Sequence, residues 1–179
     1  MFHRTQRLLL RPVWPEDWRI LLVGIADEGV VRNLARAPWP YTEHDAQSFA
    51  ASPVSDPRFP RFLLTLPGQQ GSQLVGCCGI DGREGVVELG YWIARQFWGR
   101  GFATEGARAV LDIATVLGHE RIVAGHYLDN PASGRVLRKL GFQPTGRTEQ
   151  RDCLARGRPT EAAMYELRLQ AIRDDAVAA

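Results

Sequence analysis

The sequence predicts an α+β protein, with a mixed, mostly antiparallel sheet of about six to seven strands flanked by about four helices. In the first half of the chain, candidate strands are separated by short turn-forming segments, as hairpins are. In the second half, a strand, a helix and another strand follow one another as in a crossover connection. The length of 179 residues is usual for one domain with a core large enough to hold a ligand cleft.

The first third of the chain is predicted to contain one strand and two helices. Alternating apolar residues predict a strand at about Arg4–Arg11. Apolar residues at helical spacing then predict a helix over Glu16–Leu34. Thr42 and Asp45 have the spacing of a capping box, so we expect a short helix that starts there and reaches about Ala51.

The rest of the chain supplies the hairpins and the crossover. Glycine-containing turns separate three strands that we expect to pair with one another. The helix that follows them has one apolar face, which must be buried against the sheet. In order, we predict strands at Arg61–Leu66, Leu74–Ile80 and Val86–Ile93, a helix from Ala103 to Leu117, a strand at Arg121–Leu128, a helix at Ala132–Leu140, and strands at about Gln143–Gln150 and Ala162–Leu169.

Charge and composition argue against several classes of protein. Twenty-two basic and twenty acidic residues leave a formal net charge of +2, with no basic stripe for nucleic acid. Apolar runs fall short of the roughly 18 residues of a membrane span. The three cysteines include an adjacent pair and no Cys-x-x-Cys, which fits neither a disulfide framework nor a zinc site. We therefore expect a cytoplasmic protein without a metal, with one domain over 1–170 and a frayed tail over 171–179.

The most informative segment is Trp98-Gly99-Arg100-Gly101-Phe102-Ala103-Thr104-Glu105, which joins a predicted strand to a predicted helix. A glycine turn before a helix binds anions, because the first N–H groups of the helix lack partners and the dipole is positive there. The segment lacks the Gly-Lys-Ser/Thr ending of a P-loop. Glu120 lies about 20 residues further on but precedes its strand, so a dinucleotide site is the weaker alternative. The turn predicts a site for phosphate groups.

The residues after this turn resemble a known family. A helix and a strand lead to Asp129-Asn130-Pro131-Ala132-Ser133, and a short helix leads to Leu140-Gly141-Phe142. This order is similar to the acetyl-CoA-binding half of the GNAT superfamily of N-acetyltransferases, and the likeness extends from about Thr5 to Leu169. Three further segments resemble its branch of ribosomal-protein N-terminal acetyltransferases, namely Thr5–Pro12, Pro38–Thr42 and Glu88–Ile93.

The resemblance implies a GNAT-like sheet and a set of residues for acetyl-CoA. Two central strands, ending at Ile93 and Leu128, would splay apart and hold the pantetheine arm between them. Asn130 would bind CoA or cap its helix. The resemblance assigns the Ile93 main chain to the pantetheine, and the pyrophosphate to the main chain of Trp98, Gly99, Arg100, Gly101, Phe102, Ala103 and Thr104.

The family pattern Gln/Arg-x-x-Gly-x-Gly/Ala can be placed on this turn in two registers. With Gly101 and Ala103 on the small positions, Trp98 stands where Gln or Arg is usual. A register on Gln96, Gly99 and Gly101 restores the glutamine, but its spacing from strand to helix is less natural. We prefer the Trp98 register.

Attack of an amine on a thioester requires a base and a proton donor for the thiolate. Glu88 is the candidate base, because it lies on the strand that leads to the turn; alternatively, it pairs with an arginine on the sheet surface. Many family members protonate the thiolate with a tyrosine seven residues after the asparagine, which here is Leu137. Ser133 is therefore the candidate donor; alternatively, it bonds the local backbone.

The acceptor side has weaker candidates. Trp39 and Tyr41 would form a lid over the acceptor amine, or else pack on the core. Asp152 lies where the resembled branch places an acid on the substrate side. His126 and Tyr127 end the second splayed strand, where one of them would face the thioester; alternatively both are packing residues, which is the role we expect.

Together, the resemblance implies an acetyl-CoA-dependent N-acetyltransferase that acts through a ternary complex. Its acceptor would be a protein N-terminal amine or a small amine, and a homodimer is compatible with the sequence. Neither nucleic acid nor membrane is expected as a partner. A non-catalytic acyl-CoA-binding module and a nucleotide-dependent oxidoreductase are the alternatives.

Overall fold

The computed structural model describes residues 1–69, 71–83 and 85–170, which form one sheet of eight strands and five α-helices. The strands are β1 (His3–Arg4), β2 (Leu9–Pro12), β3 (Arg61–Gly68), β4 (Gly71–Arg83), β5 (Val86–Ile93), β6 (Arg121–Tyr127), β7 (Gln143–Arg151) and β8 (Thr160–Arg168). The helices are α1 (Trp18–Ile25), α2 (Glu28–Val31), α3 (Glu43–Ala51), α4 (Phe102–Val116) and α5 (Pro131–Lys139).

The strands are arranged in the order β1-β2-β3-β4-β5-β6-β8-β7. Every neighbouring pair is antiparallel except β5 and β6, which are parallel. The predicted fold class is therefore confirmed, but the predicted numbers of strands and helices were slightly low. None of the helices within the described ranges is long and apolar enough to cross a membrane.

The parallel pair separates soon after it begins. The register between β5 and β6 consists of one aligned pair, Glu88 and Val123. By contrast, β5 stays aligned with β4 from Val86 to Ile93, and β6 stays aligned with β8 along its whole length. Each strand of the parallel pair is thus held on its outer side, and a gap opens between them toward Ile93. This confirms the expected splayed strands.

The two faces of the sheet carry different helices. A Cβ placed on Gly24 of α1 would meet Trp92 of β5, and a Cβ placed on Gly106 of α4 would meet Leu64 of β3. In the sheet register, Leu64 is aligned with Gly76 of β4, and Gly76 is aligned with Ile93 of β5. Leu64 and Ile93 therefore point to the same face, and Trp92 points to the other. Since consecutive residues of a strand point to opposite faces, α1 and α4 cover opposite faces of the sheet.

The N-terminal strand predicted over Arg4–Arg11 is wrong in one respect, because the structure divides it into β1 and β2. Between them, the Thr5 N–H donates to the Leu8 carbonyl over 2.9 Å, and the Leu8 N–H donates to the Thr5 hydroxyl over 2.9 Å. This local turn reverses the chain, so β1 and β2 pair with each other. The apolar residues of this segment begin at Leu8, after the turn, so their alternation predicted β2 but not the turn before it.

The helix predicted over Glu16–Leu34 is also divided, into α1 and α2. Ala26 leaves the helical region with ψ of 62°, and Asp27 is extended. The short helix predicted from the capping box is confirmed as α3, since the Thr42 hydroxyl accepts from the Asp45 N–H and the Asp45 carboxylate accepts from the Thr42 N–H. The expected tail over 171–179 lies outside the described residues.

Candidate active site

The glycine turn ends at the N-terminus of α4. Gly99 and Gly101 have φ of +73° and +81°, a region that side chains with a Cβ rarely adopt. The first helical hydrogen bond runs from the Glu105 N–H to the Gly101 carbonyl. The N–H groups of Phe102 and the two residues after it precede this bond, so they are available to an anion at the positive end of the helix dipole. The turn has the geometry of a phosphate site.

The side chains of the turn leave its outer surface open. A Cβ placed on Gly99 would meet nothing within 4 Å. The Arg100 guanidinium lies over the rings of Phe97 and Phe102, at 5.5 and 5.2 Å from their centroids. This position keeps one positive charge beside the turn, which suits an anionic ligand.

Trp98 connects the turn to the gap. Its indole Nε1 donates to the Ile93 carbonyl over 2.7 Å. The Ala94 N–H donates to the Val75 carbonyl of β4. Because successive residues of a strand bond to opposite sides, the N–H and carbonyl of Ile93 point away from β4, toward the gap. Trp98 therefore holds the end of β5 to the turn.

A second layer behind the turn was missed by sequence reasoning. Glu105 Oε1 accepts from the Thr5 hydroxyl over 2.6 Å and from the Arg7 N–H over 2.8 Å, while Arg7 Nε donates to Glu105 Oε2 over 2.7 Å. Arg7 Nη1 also donates to the Arg100 carbonyl. Partial burial opposes the charge of Glu105, but the hydrogen bonds from Thr5 and Arg7 lower its pKa. The N-terminal hairpin thus supports the turn.

Glu88 forms an ion pair with Arg151 at the end of β7. Arg151 Nη2 donates to both carboxylate oxygens over 2.7 Å, and the Glu88 side chain is 35% exposed. Glu149 lies 3.7 Å from the same guanidinium. Partial burial opposes the charge of Arg151, but the hydrogen bond from Glu88 and the negative charges raise its pKa. The structure therefore contains the arginine pairing that the sequence left open as an alternative for Glu88.

Ser133 lies at the first turn of α5, where its hydroxyl group hydrogen-bonds the Tyr91 hydroxyl over 2.8 Å. The Ser133 N–H donates to Asn130 Oδ1 over 3.4 Å, so Asn130 caps the helix. Burial raises the pKa of Tyr91 to about 12, although the hydrogen bond with Ser133 lowers it. Sequence reasoning missed Tyr91, because alternation along β5 gives its face but not its partner.

Glu88 and Ser133 approach the gap from opposite sides. Strand alternation puts Glu88, and its neighbour Val123 on β6, on the face covered by α1. His126, three residues beyond Val123, points to the other face and lies against Gly134 of α5. Glu88 therefore lies on one face of the sheet, where β5 and β6 are still aligned, and Ser133 lies on the other face.

The candidate acceptor residues are placed differently from one another. Trp39 is 42% exposed, whereas Tyr41 is 9% exposed and belongs to the hydrophobic core. Burial and the Asp45 charge raise the pKa of Tyr41 to about 12. The Asp152 side chain is exposed, and its main-chain carbonyl accepts from the Tyr127 hydroxyl over 2.5 Å. Among the described residues, no hydrogen bond or ion pair joins Trp39 or Tyr41 to Asp152.

Two loops near Asp152 are bound together, which sequence reasoning also missed. Arg156 Nε donates to the Arg32 carbonyl over 2.8 Å, and both arginines pair with Asp129. The Leu154 N–H donates to the Ala35 carbonyl over 3.1 Å. Hydrogen bonds therefore join the loop after α2 to the loop after β7, which begins with Asp152.

A search of the described residues finds no group of three or more His, Cys, Asp or Glu side chains that could hold a metal ion. His126 packs against Tyr165 with ring centroids 5.5 Å apart, and Tyr127 is buried. Both residues therefore lie in packed positions, as the sequence led us to expect.

The separated strands β5 and β6 lie next to the N-terminus of α4, an arrangement that suits an extended ligand whose phosphate groups meet the helix. The chain belongs to the GNAT family of acetyltransferases, because the family model described as "Acetyltransferase (GNAT) domain" matches residues 7–143. It is an N-acetyltransferase, which excludes the oxidoreductase alternative.

Similar proteins agree with this assignment. The uncharacterized N-acetyltransferase p20 of Bacillus licheniformis is 29% identical over 176 residues, covering 91% of this chain and 93% of that protein. A GNAT-family acetyltransferase from Bacillus anthracis has a TM-score of 0.79 at 23% identity, covering 94% of this chain and 98% of that one. RimL, a ribosomal L7/L12 alpha-N-protein acetyltransferase solved in complex with coenzyme A, has a TM-score of 0.79 at 18% identity, covering 96% and 100%. The structural matches show the shared fold.

Proposed function

We propose that this N-acetyltransferase transfers acetyl from acetyl-CoA to a primary amine by direct attack in a ternary complex. The observation that carries the proposal is the gap between β5 and β6, which opens beside the N-terminus of α4. An extended thioester in the gap would have its phosphates at the helix and its carbonyl between Glu88 and Ser133. The acceptor is a protein N-terminal amine or a small amine.

The residues present fit acetyl-CoA. The pyrophosphate would be held by the main-chain N–H groups of the segment from Trp98 to Thr104, with Arg100 as a further positive charge. Ile93 would offer its main chain to the pantetheine amides along the open edge of β5. Asn130 caps α5 in this structure, which supports its helix-capping role and leaves its CoA contact as a prediction.

The proposed chemistry uses the two faces of the gap. The acceptor amine would approach from the α1 face, where Glu88 takes up the proton directly or through water. The thiolate would receive its proton on the α5 face, where Ser133 presents its hydroxyl. Trp39 and Asp152 are kept as acceptor-side candidates, with Asp152 next to Arg151 in the chain. Tyr41 is packed in the core, which favours the packing alternative for this residue.

The ion pair between Glu88 and Arg151 bears on the acceptor. Arg151 Nη2 donates to both carboxylate oxygens, so Glu88 has to share these oxygens with any proton that it takes from the amine. An α-amino group has a pKa of about 8 and a lysine one of about 10.4, so an N-terminal amine needs less help in losing its proton. This favours a protein N-terminal amine, and RimL, which acetylates an alpha-amine of a ribosomal protein, has the same fold.

The first experiment follows CoA release from acetyl-CoA with N-terminal peptides, aminoglycosides, polyamines and amino acids as acceptors. Release with peptides would support a protein-modifying enzyme, whereas release with small amines alone would support a metabolic or resistance function. Binding of acetyl-CoA without release for every acceptor would contradict the proposal.

Glu88→Gln tests the base. General base catalysis contributes about 10² to 10⁴ in rate, so we expect at least a 100-fold loss of kcat. The matched control is Glu166→Gln, since Glu166 lies in the same row of the sheet as Val123 and also pairs with an arginine, Arg121, whose Nε and Nη2 donate to Glu166 Oε2. Equal, small effects of both variants would show that Glu88 has only a structural role.

A further inference from the structure

The hydroxyl groups of Tyr91 and Ser133 meet at the α5 side of the gap. They lie 2.8 Å apart, and the Tyr91 hydroxyl also lies 3.3 Å from the Ser133 carbonyl. We propose that Tyr91 is a positioning residue that orients the Ser133 hydroxyl toward the departing thiolate and restores its proton. This inference rests on the proposed function, in which Ser133 protonates the thiolate.

The hydroxyl groups of the four tyrosines have different partners. The Tyr127 hydroxyl donates to the Asp152 carbonyl, and the Tyr165 hydroxyl accepts from Arg138. Tyr41 is packed in the core beside Asp45. Among these four tyrosines, therefore, the hydroxyl contact with Ser133 belongs to Tyr91.

A serine alone is a poor proton donor, because an aliphatic alcohol is a far weaker acid than a phenol. A serine that gives up its proton needs one back at once, and the adjoining phenol is the nearest source. An ordinary phenol, with a pKa of about 10, is already protonated at neutral pH, and burial raises the pKa of Tyr91 further, to about 12. The Tyr91 hydroxyl is therefore protonated before each turnover.

The proton transfers balance. The acceptor nitrogen forms its bond to the acetyl carbon and the carbon–sulfur bond breaks, which leaves a thiolate. The Ser133 O–H bond breaks as the S–H bond forms, and the Tyr91 O–H bond breaks as the Ser133 O–H bond forms again. Glu88 then releases to solvent the proton that it took from the acceptor nitrogen, and the Tyr91 phenolate takes up one proton from solvent, so both residues return to their starting states.

Tyr91→Phe removes the phenol oxygen and keeps the ring. We expect kcat to fall about 10-fold to 100-fold while KM for acetyl-CoA changes less than about twofold, because the loss concerns proton transfer and not binding. Tyr165→Phe is the matched control, since Tyr165 is a buried tyrosine whose hydroxyl contacts the same helix. The control should keep kcat, and thermal unfolding should show that both variants fold.

A double-mutant cycle separates a relay from two independent contacts. If Tyr91 acts through Ser133, Tyr91→Phe should add little to the loss already caused by Ser133→Ala. Multiplied losses in the double variant would overturn the proposal. Wild-type kcat in Tyr91→Phe would also overturn it and would leave the proposed acetyltransferase reaction intact.

A spectroscopic readout does not depend on turnover. The protein has four tyrosines, so incorporation of 3-fluorotyrosine gives four ¹⁹F resonances, and Tyr91→Phe identifies the one from Tyr91. We expect CoA, which carries the free thiol, to shift that resonance in wild type and to shift it much less in Ser133→Ala. An unchanged resonance on CoA binding would overturn the relay. CoA release that is absent with every acceptor would instead count against the proposed function.

Discussion

Arg7 and Glu105 lie 98 residues apart in the sequence, yet Arg7 Nε donates to the Glu105 carboxylate over 2.7 Å. Thr5 donates to the same carboxylate, and Arg7 also holds the Arg100 carbonyl. The N-terminal hairpin therefore fixes the first turn of α4 from behind. Because this turn has the geometry of a phosphate site, the pair should affect the binding of the acetyl donor.

Glu105→Ala should weaken the binding of acetyl-CoA without abolishing acetyl transfer. Hydrogen bonds to charged groups contribute about 1.5 to 3 kcal/mol, and the partial exposure of Arg7 reduces this to about 1 to 2 kcal/mol. We expect that loss in the free energy of unfolding, together with a several-fold higher KM for acetyl-CoA. Arg108→Ala, on an exposed site of the same helix, is the control and should leave KM unchanged. A normal KM in Glu105→Ala would show that the turn is held without the hairpin.

The Glu105 interaction should depend on pH in a defined direction. Its pKa is lowered, so the charged carboxylate stabilises the folded state above the unfolded pKa of about 4.3, and this contribution is lost as the pH falls through the folded-state pKa. Urea unfolding of wild type and Glu105→Gln should show a constant difference above about pH 5 that shrinks toward pH 3. A difference that stays the same at pH 3 would rule out a contribution from the ionised carboxylate.

Gly101, in the turn before α4, should matter for the binding of acetyl-CoA as well as for the stability of the fold. Gly101 has φ of +81°, which costs a residue with a Cβ about 1 to 2 kcal/mol. A Cβ there would lie 3.5 Å from Arg7, an ordinary contact, so Gly101→Ala should lose stability through backbone strain alone. Strain at the turn should also raise KM for acetyl-CoA, because the N–H groups would no longer be aligned.

Gly118→Ala is the control for this effect. Gly118 lies just beyond the other end of α4, has φ of +83°, and has nothing within 4 Å of an added Cβ. It should lose about the same 1 to 2 kcal/mol of stability while KM stays at the wild-type value. If both variants raised KM equally, general destabilisation would be the cause and the turn would have no special role.

Local patterns explain which parts of the fold could be predicted. The strand predicted over Val86–Ile93 was found with those bounds, because alternation and flanking turn residues are encoded within a few positions. The capping box of Thr42 and Asp45 is equally local and predicted α3. The turn at Thr5 was not predicted, since its hydrogen bonds join only Thr5 and Leu8 and the apolar alternation starts at Leu8.

The candidate site could be predicted only in part, because its side chains meet across long sequence separations. The glycine turn is contiguous, so the sequence predicted its phosphate-site character. Glu88 and Arg151 are 63 residues apart, and Tyr91 and Ser133 are 42 apart. Alternation gives the face of Glu88 or Tyr91, but the partner depends on how β6, β7 and α5 are placed in space. The catalytic roles of Glu88 and Ser133 stay predictions.

The three cysteines should be inert in the folded protein. Cys77 and Cys78 are buried in β4; burial raises the pKa of Cys77 to about 12 and that of Cys78 well above its usual value. Cys153 is buried as well, with its Sγ 3.4 Å from the carbonyl oxygens of Arg32 and Leu34. Since the thiolate is the reactive form, a thiol-specific reagent at pH 8 should find almost no reactive thiol in native protein and all three in guanidinium.

Val116→Cys provides the positive control for this prediction, since Val116 is 70% exposed on α4 and a thiol there should react at once. Rapid reaction of one thiol in the native wild type would mean that a loop opens, and Cys153 would be the residue to examine because it lies between two surface loops. If the native protein is silent, every thiol that appears after acetyl-CoA and an acceptor are added comes from CoA. The same reagent then measures turnover directly, without a correction for the enzyme.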